Sequence, residues 1–262
     1  ANIGDARNVV ASRVGNNLIS IGRNDTPTGY PMSSYFGYVF DGIIQNDQQL
    51  ADYRARFPNE GIVQTQVTVG DAMYKDLDGD GRLTVLGDGT EGSGDAIYLG
   101  NTNPRMNYGL NLNASYKGFD FSAFIQGVGQ RTMFLEGEAR MPFAQPWFQS
   151  AEYWYGKTWT PERTDAKYPA ITLTSKRSYN YNISTNTKHN VGYARLKNLQ
   201  LGYTVPSRLT QQWKIDRIRV YFSGEDLFEL HNAPGGWDPE EGGGYISYPF
   251  ARNYSFGVNV VF

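Results

Sequence analysis

The sequence contains no cysteine. That excludes disulfides, thiolate metal sites and cysteine nucleophiles together, and leaves the compartment open. No run of about 18 apolar residues occurs, so no helix is expected to cross a bilayer. Strands escape that test, because alternating lipid-facing and lumen-facing residues average out in hydropathy. Charge is sparse, with 19% Asp, Glu, Lys and Arg and a formal net charge of -2. This gives no broad cationic field, and no nucleic-acid partner is expected. Only two histidines occur, His189 and His231, far apart and without a serine or aspartate arrangement around them. Glu240 and Glu241 are adjacent, and neighbours in extended chain point apart. No acid/base pair stands out, so neither an enzyme nor an organic cofactor is expected. Gly127-Val128-Gly129 and Gly242-Gly243-Gly244 do not lead from a strand into a helix, as phosphate loops must. The chain begins at Ala1 with neither an initiator methionine nor a signal peptide, and is expected to be processed, cleaved or partial.

Aromatic residues are abundant, with 19 Tyr and 14 Phe, and glycine numbers 30. Such a composition favours many strands joined by turns and argues against disorder. The clearest pattern has period two. Met106, Tyr108, Leu110, Leu112, Ala114 and Tyr116 alternate with Asn107, Gly109, Asn111, Asn113 and Ser115, which gives one greasy and one wet face. Lys117-Gly118 reads as a tight turn. Phe119, Phe121, Ala123 and Ile125 then alternate with Asp120, Ser122 and Gln126, and Phe124 interrupts the polar face. A third strand is expected from Tyr193 to Val205, a fourth around Ile218, Val220 and Phe222, and a fifth from Tyr254 to Phe262. A weaker pattern near Asn8 to Ile21 supplies a sixth. Asp47 to Phe57 reads as a short helix.

The links between strands alternate short and long. Lys117-Gly118 and the Pro206 to Asp216 link are short. Gly129 to Asn190 and Glu229 to Ala251 are long, and Gly22 to Asn103 is a further excursion. Short turns on one side and long loops on the other are the habit of outer-membrane barrels. From alternation alone, a soluble β-sandwich with the greasy face as its core competes on even terms. A polar face of Asn, Ser, Gly and Gln suits a watery lumen, and the chain closes on Phe262 inside an alternating strand. Both favour the barrel. About six strands cannot close a transporter-sized barrel, so the expectation is an all-β, C-terminal portion of a large antiparallel transmembrane β-barrel, completed by upstream chain. Residues 1–262 are read as one such part, with excursions at 22–103, 130–190 and 229–251 on the extracellular side.

Several blocks, in order, resemble one family. They are Tyr35-Phe36-Gly37-Tyr38-Val39-Phe40-Asp41-Gly42-Ile43, Val69-Gly70-Asp71, and Tyr74-Lys75-Asp76-Leu77-Asp78-Gly79-Asp80-Gly81. Leu99-Gly100-Asn101, Tyr116-Lys117-Gly118-Phe119-Asp120, Trp159-Thr160-Pro161-Glu162, Arg195 to Tyr203, and Asp238-Pro239-Glu240 follow. Together they resemble the C-terminal region of SusC-like TonB-dependent transporters of Bacteroidota, from about Tyr35 onward. The resemblance implies a plugged barrel of about 22 strands in the outer membrane of a Gram-negative bacterium. It also implies a plug upstream that engages the TonB complex, and a SusD-like surface lipoprotein as lid. The implied function is active import of a nutrient oligomer, an oligosaccharide first and an oligopeptide second. A passive porin and a soluble, calcium-stiffened carbohydrate-binding β-sandwich are the alternatives.

Two features are candidate sites. In Asp76-Leu77-Asp78-Gly79-Asp80-Gly81-Arg82-Leu83-Thr84, carboxylates at alternate positions followed by glycine match the start of an EF-hand-type loop. Asp76, Asp78 and Asp80, the Arg82 carbonyl and Thr84 are the expected oxygens for Ca²⁺, with Mg²⁺ second. Gly87 stands where a glutamate is usual, and Asp88 is the substitute. A bound ion is expected to stiffen a loop rather than perform chemistry. The second feature is the aromatic group Phe143, Trp147, Phe148, Tyr153, Trp154, Tyr155 and Trp159. Sugar rings and peptides both use such surfaces. Trp147, Tyr153, Trp154 and Trp159 are the expected substrate contacts, with loop packing or interface anchoring as the plainer role.

Overall fold

A computed structural model describes residues 1–14, 19–24, 27–86, 93–144, 150–172, 176–244 and 251–262. In chain order its strands are β1 (Asn2–Gly4), β2 (Gly22–Asn24), β3 (Ser34–Tyr38), β4 (Phe40–Ile43), β5 (Ala72–Tyr74) and β6 (Ala96–Asn101), then β7 (Arg105–Tyr116), β8 (Phe119–Met133), β9 (His189–Thr204), β10 (Arg217–His231) and β11 (Asn253–Val261). The helices used below are α1 (Asp47–Arg56), α2 (Gly61–Thr65) and α3 (Lys176–Asn180). No described helix is long and apolar enough to cross a membrane.

The main sheet has six strands in the order β1-β7-β8-β9-β10-β11, all pairs antiparallel. Its register converts the sequence alternation into continuous rungs. Ala114 lies opposite Phe121, Phe121 opposite Leu201, Leu201 opposite Phe222 and Phe222 opposite Phe256. The neighbouring rung on the same face joins Tyr116, Phe119, Tyr203, Val220 and Val258. One step away, on the opposite face, runs Asn113, Ser122, Gln200, Ser223 and Ser255. A greasy stripe therefore backs directly onto a wet one, as a wall between hydrocarbon and water requires. Met106, Leu112, Leu201, Phe256 and Val258 are exposed rather than packed against a second sheet. The sandwich alternative needs these side chains in a protein core and does not fit.

β7 to β10 contain 12, 15, 16 and 15 residues. A tilted membrane-spanning strand needs about 9–11, so these strands project beyond the hydrocarbon. Lys117 and Gly118, at φ 48° and 87°, make the two-residue turn between β7 and β8. Two successive positive φ angles match the right-handed strand twist. A side chain at Gly118 would also meet the Thr204 carbonyl at 2.8 Å. Tyr116, Phe119 and Trp213, all exposed, gather at this end of the sheet, and the Phe119 and Tyr203 rings lie 4.6 Å apart. Aromatic girdles of this sort sit at membrane interfaces.

One strand differs from expectation. The described residues between Asn8 and Ile21 form no sheet strand, and β1 pairs with β7 instead, at Asn2, Ile3 and Gly4. Val9 and Val10 are adjacent and break the two-residue period. Val10 makes a parallel bridge to Thr28, and the Asn8 carboxamide accepts from the Met32 amide at 2.8 Å. The sheet does not close, and β1 and β11 are its edges. Further strands are needed to satisfy those edges in lipid.

The two longer excursions fold together beyond the β7 and β8 ends opposite the tight turn. β2-β3-β6 and β4-β5 form two small sheets. A buried core joins Tyr38, Ile44, Tyr53, Phe57, Val63, Val67 and Tyr74 from the first excursion to Tyr179 from the second. Asn46 caps α1 by accepting from the Gln49 amide at 2.9 Å. The buried tyrosines are satisfied: Tyr53 and Tyr179 hydroxyls are 2.6 Å apart, and the Tyr74 hydroxyl donates to the Tyr179 carbonyl at 2.7 Å. Burial pushes the Tyr53 hydroxyl up to about 12, so it stays neutral and hydrogen-bonding. Asp71, buried, is held by Lys176 at 2.7 Å and by the Asn180 amide at 2.8 Å. A second core joins Met133, Leu135, Trp154, Tyr168, Tyr181 and Val191.

Candidate functional site

The aromatic group divides. Trp147 and Phe148 lie outside the described residues. Trp154 is only 3% exposed and stacks edge-on against Tyr168 and Tyr181. Trp159 covers Gly70, where an added Cβ would meet the indole at 2.6 Å, and its Nε1 donates to Gln45 Oε1 at 2.9 Å. In this structure Trp159 packs the second excursion against the first, and Trp154 packs within the second. Tyr155 is 89% exposed. Phe143, at φ 50°, lies at the surface.

Tyr153 is placed differently. It lines an open cleft of about 550 Å³ with Lys157, Gly235, Gly236 and Trp237. The Tyr153 and Trp237 ring centroids are 5.6 Å apart at 88°, and the Lys157 ammonium sits 3.6 Å over the tyrosine ring. Trp237 Nε1 donates to the Gly244 carbonyl at 3.1 Å, which fixes the indole. Two fixed rings, a cation and a bare glycine floor can stack a ring or hold a polar chain. Trp237 escaped the sequence reading because it stands 84 residues from Tyr153; its only signal was its place just before Asp238-Pro239-Glu240.

The loop carrying Trp237 is clamped to the wall by charge. Arg195, on the wet face of β9, has a fully buried side chain. It meets Glu229 and Asp238 at 2.5 Å each and Glu240 at 3.2 Å. Lys197 meets Asp226 at 2.9 Å and Glu240 at 3.0 Å. Lower on the same face, Arg219 grips Asp120 with Nε at 2.9 Å and Nη2 at 2.5 Å. Gly202 lies between them, where a Cβ would meet both partners at 2.5 Å, so only glycine lets this pair bridge across β9.

The aspartate loop folds on its own backbone. Asp76 accepts from the Gly79 amide at 2.7 Å and the Gly81 amide at 3.0 Å, and Asp78 accepts from the Asp80 amide at 3.2 Å. Asp80 accepts from the Arg82 amide at 2.7 Å and stays exposed. The group brought together is Asp76, Asp78 and Asp95, with one oxygen of each within 4.8 Å of the others. Asp95 is fully buried and accepts from the Leu77 amide at 2.6 Å and the Thr84 amide at 2.8 Å. Burial raises its carboxyl above the usual range, the two amides pull it down, and Asp78 and Asp76 push it up again. Thr84 Oγ1 is buried with no partner among the described residues. Asp88 lies outside the described residues. Asp95 was missed because no motif spacing links it to Asp76; two hydrogen bonds across the loop do so.

A scan against protein-family models finds no match. Among curated proteins, the chain is similar to TonB-dependent receptor P3 of Formosa agariphila, at 25% identity over 251 residues, covering 89% of this chain and 22% of that protein. It is also similar to TonB-dependent receptor P26 of the same organism, at 25% identity over 267 residues, covering 94% of this chain and 24% of that protein. The chain thus spans about a quarter of the length of these relatives. Among solved structures, it resembles the RagAB peptide transporter with a TM-score of 0.59, 20% identity and 90% of this chain covered, against 23% of that one. The RagAB peptide importer in its open-open state gives a TM-score of 0.62 at 19% identity, with 95% and 24% covered.

The sheet and these neighbours define the class: this is part of the wall of a large transmembrane β-barrel. More particularly, the resemblance to SusC-like TonB-dependent transporters read from the sequence blocks holds, since the relatives are TonB-dependent receptors.

Proposed function

We propose that this chain forms part of the barrel and outer loops of a TonB-dependent importer in the outer membrane of a Gram-negative bacterium. The observation that carries it is the five-strand register, with a greasy rung backed by a polar one on the same strands. The force comes from the TonB complex acting on a plug elsewhere in the protein. A SusD-like lipoprotein closes the outer face over the loop module. The cargo is a nutrient oligomer, an oligosaccharide in the first reading, held by Tyr153 and Trp237 and passed down the polar lumen. An oligopeptide is the second reading, favoured by neighbours that are peptide importers.

The loop at Asp76 is proposed to hold Ca²⁺ through Asp76, Asp78 and Asp95, with Thr84 alongside. An all-oxygen donor set with three carboxylates suits a hard divalent cation. The ion would neutralise the carboxylates and stiffen the loop.

Uptake of labelled oligosaccharides by cells carrying the full-length protein tests the reading. Accumulation should require both this protein and TonB, and the protein should fractionate with outer membranes. Uptake that persists without TonB would indicate a passive pore, and a protein soluble without detergent would end the proposal.

A further inference from the structure

On the greasy face a groove of about 390 Å³ crosses β7, β8 and β9 at their tight-turn end. Tyr116 and Phe119 border it on one side, and Ala114, Phe121 and Leu201 on the other. These residues belong to two successive greasy rungs, and the groove is the gap between them. Ser115, Asp120 and Gly202 turn their side chains to the wet face and leave backbone as its floor. Asp120 keeps its carboxylate on that far side, held by Arg219 Nε at 2.9 Å, so the groove carries no acid of its own. Ala114 opens it. Its methyl stands in a rung whose other members are Phe121, Leu201, Phe222 and Phe256.

The end of the groove is basic. Lys117 follows Tyr116 in the turn, and its ammonium lies 5.1 Å from the centre of the Tyr116 ring. That contact keeps the charge beside a wall of the groove. Arg208 and Lys214, on the neighbouring link, and Arg217, at the start of β10, stand at the same end. All four cations are exposed, and none makes an ion pair among the described residues. Asp216 is the one acid from Pro206 to Asp216. Leu209 and Trp213, both exposed, are set among these charges. Exposed apolar side chains beside unpaired cations match a surface where hydrocarbon meets phosphate.

We propose that this groove holds an acyl chain of an anionic phospholipid, with the phosphate on Lys117. The groove opens on the face that meets hydrocarbon, so a lipid tail is the occupant that reaches it. Contact with the tail selects nothing, because lipid tails are as apolar as the groove. Charge makes the selection: one cation near a headgroup favours an anionic lipid about fivefold. The bound lipid fixes the depth at which this end of the wall sits. The inference rests on the import reading, which turns the short links toward the periplasm, where an outer membrane keeps its phospholipids.

Native mass spectrometry of the full-length protein released from detergent tests it, with dioleoyl phosphatidylglycerol and dioleoyl phosphatidylcholine as probes. Phosphatidylglycerol should be retained at least about fivefold more tightly. Lys117→Gln should weaken its retention about fivefold and leave phosphatidylcholine unchanged. Ala114→Leu fills the groove with a side chain suited to lipid, so retention of both lipids should fall. Both positions are exposed, and thermal melts check that each variant folds. Equal retention of the two lipids by the parent overturns the proposal, as does retention unchanged in either variant. Tighter binding of lipid A would put the site in the other leaflet, and a dimer that Ala114→Leu splits would give the groove to a second copy; either result also overturns it. If TonB-dependent uptake continues while both lipids bind alike, only the groove proposal falls.

Discussion

Replacing Arg195 with methionine should free the loop between β10 and β11. The guanidinium is fully buried and faces three carboxylates, whose side chains are 15% (Asp238), 16% (Glu240) and 26% (Glu229) exposed. Removing one partner from a buried pair costs about 3–5 kcal/mol, because the remaining charge is left without compensation. Here Glu240 keeps Lys197 at 3.0 Å and Glu229 keeps Arg252 at 3.7 Å, whereas Asp238 loses its ion pair. The partial exposure and these surviving contacts put the cost near the lower end, about 3 kcal/mol. Local opening of residues 232–244 should then be about 150-fold more frequent. When opening is fast relative to cleavage, proteolysis tracks the open population. Protease added to intact cells should therefore cut this loop about two orders of magnitude faster in Arg195→Met. Arg195→Lys, which keeps the charge and loses the fork, should fall between. Equal cleavage of the variant and the parent would refute the clamp, and no cleavage of either at any protease concentration would refute the loop's outer location.

Leu201→Lys, on the greasy face of β9, should destabilise the folded barrel by about 2–4 kcal/mol, whereas Gln200→Lys on the wet face should be nearly neutral; urea unfolding in lipid vesicles reads both. Trp237→Ala and Tyr153→Ala should each weaken cargo binding about tenfold by calorimetry, from loss of a stacking platform, and Trp159→Ala should act on stability instead. The Asp95 carboxyl is raised in the folded protein, so the fold binds that proton more tightly than the unfolded chain does. Without metal, the loop module should therefore lose stability as pH rises from the ordinary aspartate value of 3.8 through the raised one. Millimolar Ca²⁺ should abolish that loss in thermal melts of the full protein, and a melt equally pH-dependent with and without Ca²⁺ would argue against the cation site.

Much of the wall could be read in one dimension. A strand turns successive side chains to opposite faces, so Met106 to Tyr116 carries both the lipid face and the lumen face in its order of residues. Lys117-Gly118 marked its own turn through Gly118, because a positive φ there favours glycine. Asp47 to Phe57 likewise read as a short helix, and α1 spans Asp47–Arg56. Local rules sufficed wherever the partner of a residue was its neighbour.

Tertiary structure decided everything that depends on chain segments far apart. Tyr153 meets Trp237 because two excursions fold onto one end of the sheet, Asp76 meets Asp95 across the fold of one excursion, and Arg195 meets Asp238 where a loop folds back onto β9. It also sent Trp154 and Trp159 into packing, a fate that exposure determines and residue type cannot. The physical reason is the same in each case. Alternation is a local property of the backbone, whereas burial and charge pairing belong to whichever surfaces the fold brings into contact.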